Sequence, residues 1–448
     1  MIQVILYGIV FVLLTVFTLV LPYLAVEAVF FSFSFEQLLR APAGTFPVPI
    51  RFTQWTTLIL FGLLLVRYGS RLKSPRFRWL FVLFFLYILI NAVSLTYTPD
   101  ISISLRQFAV LLLAGITALT YSLWITNMPQ ANRILRAMYW GSVLHFVSAL
   151  IQLILFLTFG WEIGYPKGMG MHLKIRTFGW MFEPNWLGVF IVVVFPWFLF
   201  ALDYGHQIKI TRIQAFVGVG LLIFTLFLNM SRLAWIAVVI QTFLWMISSS
   251  PHLRRYVNRI LIWTIPVALL TLVTWFMLSP TLQASFLERF TDVAKLSAGR
   301  GSVNVRVTNY KQLWNFFQGS PWIGHGIGTW PVLTGHPVAN AIPTTTYLYI
   351  MVEVGIIGFG ILLAGIIGYT ISLYLGYRTC KLFPRRYYLR AAYLSVIGIL
   401  ITGFFVDIKT LFSYFPVFGL YWGLLRMTKS DRKTASATHS AVPSQATP

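Results

Sequence analysis

Charge is scarce in this chain, and acid is scarcer than base. Charged residues are 10% of its 448 positions, with 11 Asp and Glu against 34 Lys and Arg. A soluble domain carries roughly 25% charged residues, so a water-exposed globule is excluded. The single Cys380 rules out an intrachain disulfide framework and a cysteine-rich metal site. The His residues lack the spacing of a zinc site. Glu27 and Glu36 in the first loop have no acidic neighbour, so a carboxylate pair for a divalent ion is missing there. Metal-independent chemistry without a cofactor is therefore expected.

What the chain has instead is apolar length. It is 58% hydrophobic, with a mean hydropathy of +0.78. The fold class expected is all-α integral membrane. A helix needs about 20 apolar residues to cross a bilayer. About 12 segments qualify: 3–24, 53–68, 78–97, 104–126, 134–159, 185–203, 213–230, 233–249, 258–278, 346–376, 389–407 and 411–426. The first reads as an uncleaved span. Residues 25–52, with Pro42, Pro47 and Pro49, read as a loop too broken to cross. Residues 1–426 make one membrane domain, and 427–448 read as a disordered tail rich in Ser, Thr, Ala and Pro.

The net charge of +23 would suggest nucleic acid in a soluble protein. Here Lys and Arg collect in short loops, such as Arg71–Arg78, Arg254–Arg259 and Arg378–Arg390, and in the tail. The positive-inside rule then places both termini in the cytoplasm of a multi-pass protein of the cell (inner) membrane. Much of the charge is a topology and lipid signal, and no nucleic-acid partner is expected.

This topology leaves one large extracytoplasmic loop, 279–345, beside a 160–184 loop and the Ser231-Arg232 turn. An Arg between two apolar helices is costly without a partner; Arg232 reads either as a lipid-facing charge or as a fixed charge for an anion. Arg176, Arg300 and Arg306 are further outside arginines, and the planar guanidinium fork suits phosphate. From Ser302 to Phe317 the loop reads as a helix with Arg306, Tyr310, Leu313 and Phe317 on one face. Gly324-His325-Gly326-Ile327-Gly328 lacks the strand and helix of a phosphate loop and reads as a tight re-entry towards the membrane. His325, His336, Glu183 and Glu353 are candidate bases or arginine partners, weighed against solvated loop side chains. Asn185 follows Glu183 and Pro184 at the start of a span.

Four stretches in order then carry a resemblance: RTFGWMFEPNWLG, NMSRLAW, VRVTNYKQLWNFFQGSPWIGHGIGTW and TTTYLYIMVEVGIIGFG. Together, over about residues 170–365, they resemble the O-antigen ligase/polymerase family. The resemblance implies a metal-independent glycosyltransferase whose site faces outward. Its donor is a glycan on undecaprenyl pyrophosphate, and its acceptor is a glycan, a lipid or the wall, reached among membrane lipids. By position Arg176, Asn185, Arg232 and Arg306 carry over as donor-binding residues, joined by Arg300, and Glu353 as a catalytic residue. The family often has His-Asn just before the Tyr-Leu; here Thr344-Thr345 stand there. Either His336 takes the role of base, or Glu183 or another group does, or none is needed. Polymerisation of lipid-linked units is the expected reaction. Ligation of finished glycan and transport of the lipid-linked glycan are the rivals.

Overall fold

The structure is a computed structural model, and it describes residues 2–33, 35, 52–67, 78–163, 176–181, 183–248, 302–335, 345–380, 382, 385–404 and 415–440. All regular elements among these are helical: α1 Ile2–Val20, α2 Pro22–Ser32, α3 Phe52–Arg67, α4 Arg78–Ser94, α5 Ile101–Trp124, α6 Met128–Phe159, α7 Pro184–Tyr204, α8 Arg212–Asn229, α9 Arg232–Ser248, α10 Ser302–Gly319, α11 Trp330–Thr334, α12 Thr346–Thr379, α13 Arg385–Thr402 and α14 Phe415–Ser440. Among the described residues, five segments are long and apolar enough to cross a membrane: α5, α6, Pro184–Ile208, α8 and α12. Shorter apolar helices include Thr53–Arg67, Val82–Ser94 and α9. The expected span at 258–278 lies outside the described residues.

The bundle is built around α7. Its sequence, PNWLGVFIVVVFPWFLFALDY, has no polar face. A helix apolar all round belongs inside, and α7 is buried along nearly its whole length between α6, α8, α9 and α13. Pro196 sits within it and has no N–H for the Val192 carbonyl. In a membrane that carbonyl needs another donor. Gln241 of α9 supplies it: Nε2 donates to Val192 O and to Leu394 O of α13, 2.9 Å each. Gly398 of α13 makes the room, since a Cβ there would lie 2.2 Å from Gln241 Nε2. One buried amide thus joins three helices at the defect in the central one.

Each end of α7 carries a carboxylate. Glu183 is the N-cap residue, and Asp203 stands in the last turn. Asp203 Oδ2 lies 3.6 Å from Arg390 Nη2 of α13, with both side chains 0% exposed. The Arg390 guanidinium lies 3.7 Å from the Trp245 ring centroid and donates from Nη1 to Ser248 O at 3.3 Å. This pair closes the ends of α7, α9 and α13 together.

At about 1.5 Å per residue, α12 is longer than the ~30 Å hydrocarbon core requires. It breaks at Gly355, which has φ 64° and ψ −173°. The chain from Pro321 to Gly326 fills the break. Ile356 N donates to Pro321 O at 2.8 Å, and His325 N and Gly326 N donate to Val352 O and Glu353 O, 2.8 Å each. A Cβ at Gly355 would lie 2.1 Å from Trp322 O, so a side chain is excluded by contact as well as by the left-handed φ. The loop re-enters against a membrane helix, in line with its glycine spacing.

Two readings differ from the structure. Within 25–52, which reads as a loop, the chain is helical to Ser32, and Val26, Val29 and Phe30 are fully buried. Gly141 of α6 lets the α2 backbone approach; a Cβ there would meet Phe31 O at 2.0 Å. Tight packing on a small residue stabilises a helix too short to span. At the other terminus α14 runs to Ser440, into a stretch whose composition reads as disordered but which has no Gly or Pro before Pro443 to stop a helix.

Candidate active site

Three other chain segments assemble at the Glu183 end of α7. The first is 176–181, held by Asn229 at the end of α8. Asn229 Nδ2 donates to Thr177 O at 2.8 Å and to Pro184 O at 2.7 Å. Thr177 N donates to Leu228 O at 3.2 Å. Arg176, 3% exposed, donates from Nε to Asn229 O at 2.8 Å and from Nη2 to Asn185 Oδ1 at 3.3 Å. Asn185 in turn reaches Glu183 Oε1 with its amide nitrogen, at 3.5 Å. Asn185 therefore links the arginine to the carboxylate.

The second segment is the turn between α8 and α9. Met230 is left-handed, with φ 53°, and reverses the chain between Asn229 and Ser231. Gly188 allows α7 to pass this turn closely, since a Cβ there would lie 2.9 Å from Ser231 Oγ. The reversal puts Arg232, half-buried, at the first position of α9, at the same end of the bundle as Glu183.

The third is α10. Leu313 and Phe317 are buried with Trp330, Tyr349 and Val352, and Tyr310 OH donates to Phe404 O just beyond α13. The spacing that puts Arg306 on this face brings its guanidinium to Glu183 and Arg232. Burial lowers the hold of Arg306 on its proton, Glu183 opposes that, and Arg232 adds to it. Burial also pushes the Glu183 carboxyl above the usual range; Arg176, the Asn185 hydrogen bond and Arg306 pull it back. Among the described residues, Arg176 and Arg306 thus act on Glu183 and Arg232 acts on Arg306, leaving an excess of positive charge beside a group with raised proton affinity. Such an arrangement binds an anion and accepts a proton next to it.

Glu353 stands elsewhere in the local framework. It is fully buried, and its Oε1 accepts from Gly328 N at 2.5 Å, which fastens the re-entrant chain to α12. His325 bonds through Nε2 to Phe316 O at 2.7 Å, tying the same chain to α10. Arg300 and His336 lie outside the described residues.

Residues 217–363 match the O-antigen ligase family model. The match runs from α8 into α12, takes in Arg232, Arg306 and Glu353, and supports the O-antigen ligase family. It stops short of Arg176, Glu183 and Asn185, which the fold brings to the same end of the bundle. No curated protein matches the chain. The match supports a role in surface polysaccharide assembly and suggests a glycosyl-transferring activity.

Sequence reasoning missed Asn229. Its signal was an amide in the last turn of an apolar helix, FTLFLN, directly before a non-glycine reversal. It also missed the pairing of Asp203 with Arg390, because Arg390 reads as one more charge in a basic loop.

Proposed function

We propose that this chain transfers a glycan from a lipid-linked pyrophosphate to an acceptor hydroxyl at the Glu183 end of α7, on the extracytoplasmic side of the cell membrane. The observation that supports it most is the placing of Arg176 and Arg306 beside Glu183, with Arg232 beside Arg306. Arg232 and Arg306 hold the pyrophosphate by charge-assisted hydrogen bonds. Glu183 takes the proton of the acceptor hydroxyl. The freed oxygen bonds to the anomeric carbon as the bond from that carbon to the pyrophosphate breaks. The electron pair passes to the phosphate oxygen, where the arginines stabilise it. Arg176 and Asn185 set the position of Glu183. Glu353 keeps α12 and the re-entrant chain in register, and so holds α10 with its Arg306 in place. Lys and Arg placement supports the outward face, because the Glu183 end is opposite the basic loops.

The test is a gel of products from purified protein with a lipid-pyrophosphate-linked repeat unit, in EDTA, with and without a separate acceptor. A ladder of lengthening glycan means polymerisation. One added band that requires the acceptor means ligation. Intact donor in both lanes, with lipid-linked glycan crossing vesicles unconsumed, replaces this reading with transport.

A further inference from the structure

The re-entrant chain also carries an exposed apolar surface. Trp322 is 68% exposed and Ile323 52%, and they adjoin Ile356 and Ile357 of α12, 45% and 50% exposed. The contact is direct: Ile357 N donates to Trp322 O at 3.4 Å. On the other side Tyr97 OH donates to Ile323 O at 2.8 Å, and Val93 below it is 54% exposed. Six apolar side chains from three segments therefore make one outward patch. In water such a patch marks a partner surface.

Two independent measures fix its depth. Counting about 20 residues, or ~30 Å, back along α12 from Arg378 ends in the turn around Gly358. Ile356 and Ile357 are within that turn, so Trp322 stands where α12 leaves the hydrocarbon. The second measure is the α4–α5 turn. α4 ends at Ser94, and Asp100 caps α5 through the Ile103 N–H at 3.0 Å. That turn, which carries Thr98 and Asp100, marks a water boundary. Ile327 N donates to Ser94 Oγ at 3.2 Å, and a Cβ at Gly326 would meet Thr98. Both measures put the patch at one level. It continues upward from the lipid-facing sides of α4 and α12.

We propose that Trp322 and Ile323 are a membrane wedge, seated in the headgroup–acyl boundary of the leaflet next to the Glu183 end, and that the occupant of the patch is lipid. Trp suits that layer because its ring is apolar and its N–H stays hydrated. The wedge anchors the re-entrant chain, and through His325 and Ser320 it holds α10 down at the bilayer surface. This inference stands whether or not the chain transfers glycan.

The test is spin-label depth in nanodiscs, with single cysteines at positions 322 and 323 in a Cys380→Ala background. Trp322→Cys and Ile323→Cys labels are expected to collide with oxygen several-fold more, relative to a water-soluble nickel chelate, than a label from Asn315→Cys. Their ratio should approach that of Val239→Cys on exposed α9. Water-like accessibility at both positions overturns the wedge. Shielding from both reagents means a second copy or another protein covers the patch, and overturns it equally. Should a variant fail to fold, the wild-type protein is photolysed in nanodiscs containing a lipid with a diazirine near its glycerol. Adducts on the peptide holding Trp322 and Ile323 support the wedge; labelled α9 without labelled 322–323 contradicts it.

Discussion

The two ends of α7 pose the same electrostatic problem and solve it differently. Both have a carboxylate, Glu183 and Asp203, and both have arginine from other helices. At the Asp203 end one acid meets one arginine with both side chains fully buried, and the guanidinium lies against Trp245. Charge is balanced there and access is closed. At the Glu183 end one acid meets Arg176 and Arg306, with Arg232 beside Arg306, and Glu183, Arg232 and Arg306 are half-buried rather than sealed. Balanced, closed charge holds helices; surplus, reachable charge suits a ligand. The difference separates the two roles better than the presence of an ion pair does, since a buried pair by itself is weak evidence of stability.

Four substitutions sharpen or break this contrast. The largest effect is expected from Glu183→Gln. A base must be ionised to accept a proton, so wild-type turnover falls as pH drops through the Glu183 pKa. Burial raises that pKa, which sets the acid limb above the usual ~4.3 of a glutamate. Glu183→Gln should lower the plateau by about 10²–10⁴ and flatten the limb. A pH–rate profile with an unshifted limb in the variant removes Glu183 as base.

At the closed end, Arg390→Met leaves Asp203 buried without its guanidinium. A loss of about 3–5 kcal/mol is expected in thermal or chemical unfolding of the purified protein. The double variant Asp203→Leu/Arg390→Met should recover most of it, with turnover per folded molecule unchanged. A single variant that melts like wild type breaks the description of that end.

Arg306→Ala is expected to cut turnover by about 10²–10³ with little change in melting. Lysine at 306 should restore only part, because a point charge does not replace the fork. The smallest effect belongs to Glu353→Gln, whose amide oxygen can still accept from Gly328 N–H. Its turnover should stay within about tenfold of wild type, since exchanging one acceptor for another costs ~1 kcal/mol. A collapse as large as that of Glu183→Gln would move Glu353 into the chemistry.

Parts of this arrangement were legible beforehand because they leave a local pattern. Helical spacing from Arg306 to Phe317 announces the inward face of α10, and the four stretches between 170 and 365 hold Arg176, Arg232, Arg306 and Glu353 in order. Other parts leave none. The seam between Gly355 and the chain at Pro321–Gly326 is made of backbone hydrogen bonds, which no side-chain pattern records. Glu353 reads as catalytic or as an arginine's partner because it is an acid in an apolar span, and the contact it makes to the re-entrant chain is again to a backbone N–H. Asp203 and Arg390 lie far apart in sequence, and a lone acid at a span end does not name its arginine. For α2, burial against Gly141 outweighs the loop-like composition that follows it.

The central claim is that the surplus charge around Glu183 is a pyrophosphate site. The direct measurement is equilibrium binding of undecaprenyl pyrophosphate to the protein in nanodiscs, comparing wild type, Arg232→Ala/Arg306→Ala and Asp203→Leu/Arg390→Met. The arginine variant at the Glu183 end is predicted to bind at least about tenfold more weakly, as expected for losing charged hydrogen bonds, while the variant at the closed end binds as wild type. Equal affinity in all three, or a loss confined to the Asp203–Arg390 variant, would contradict the account.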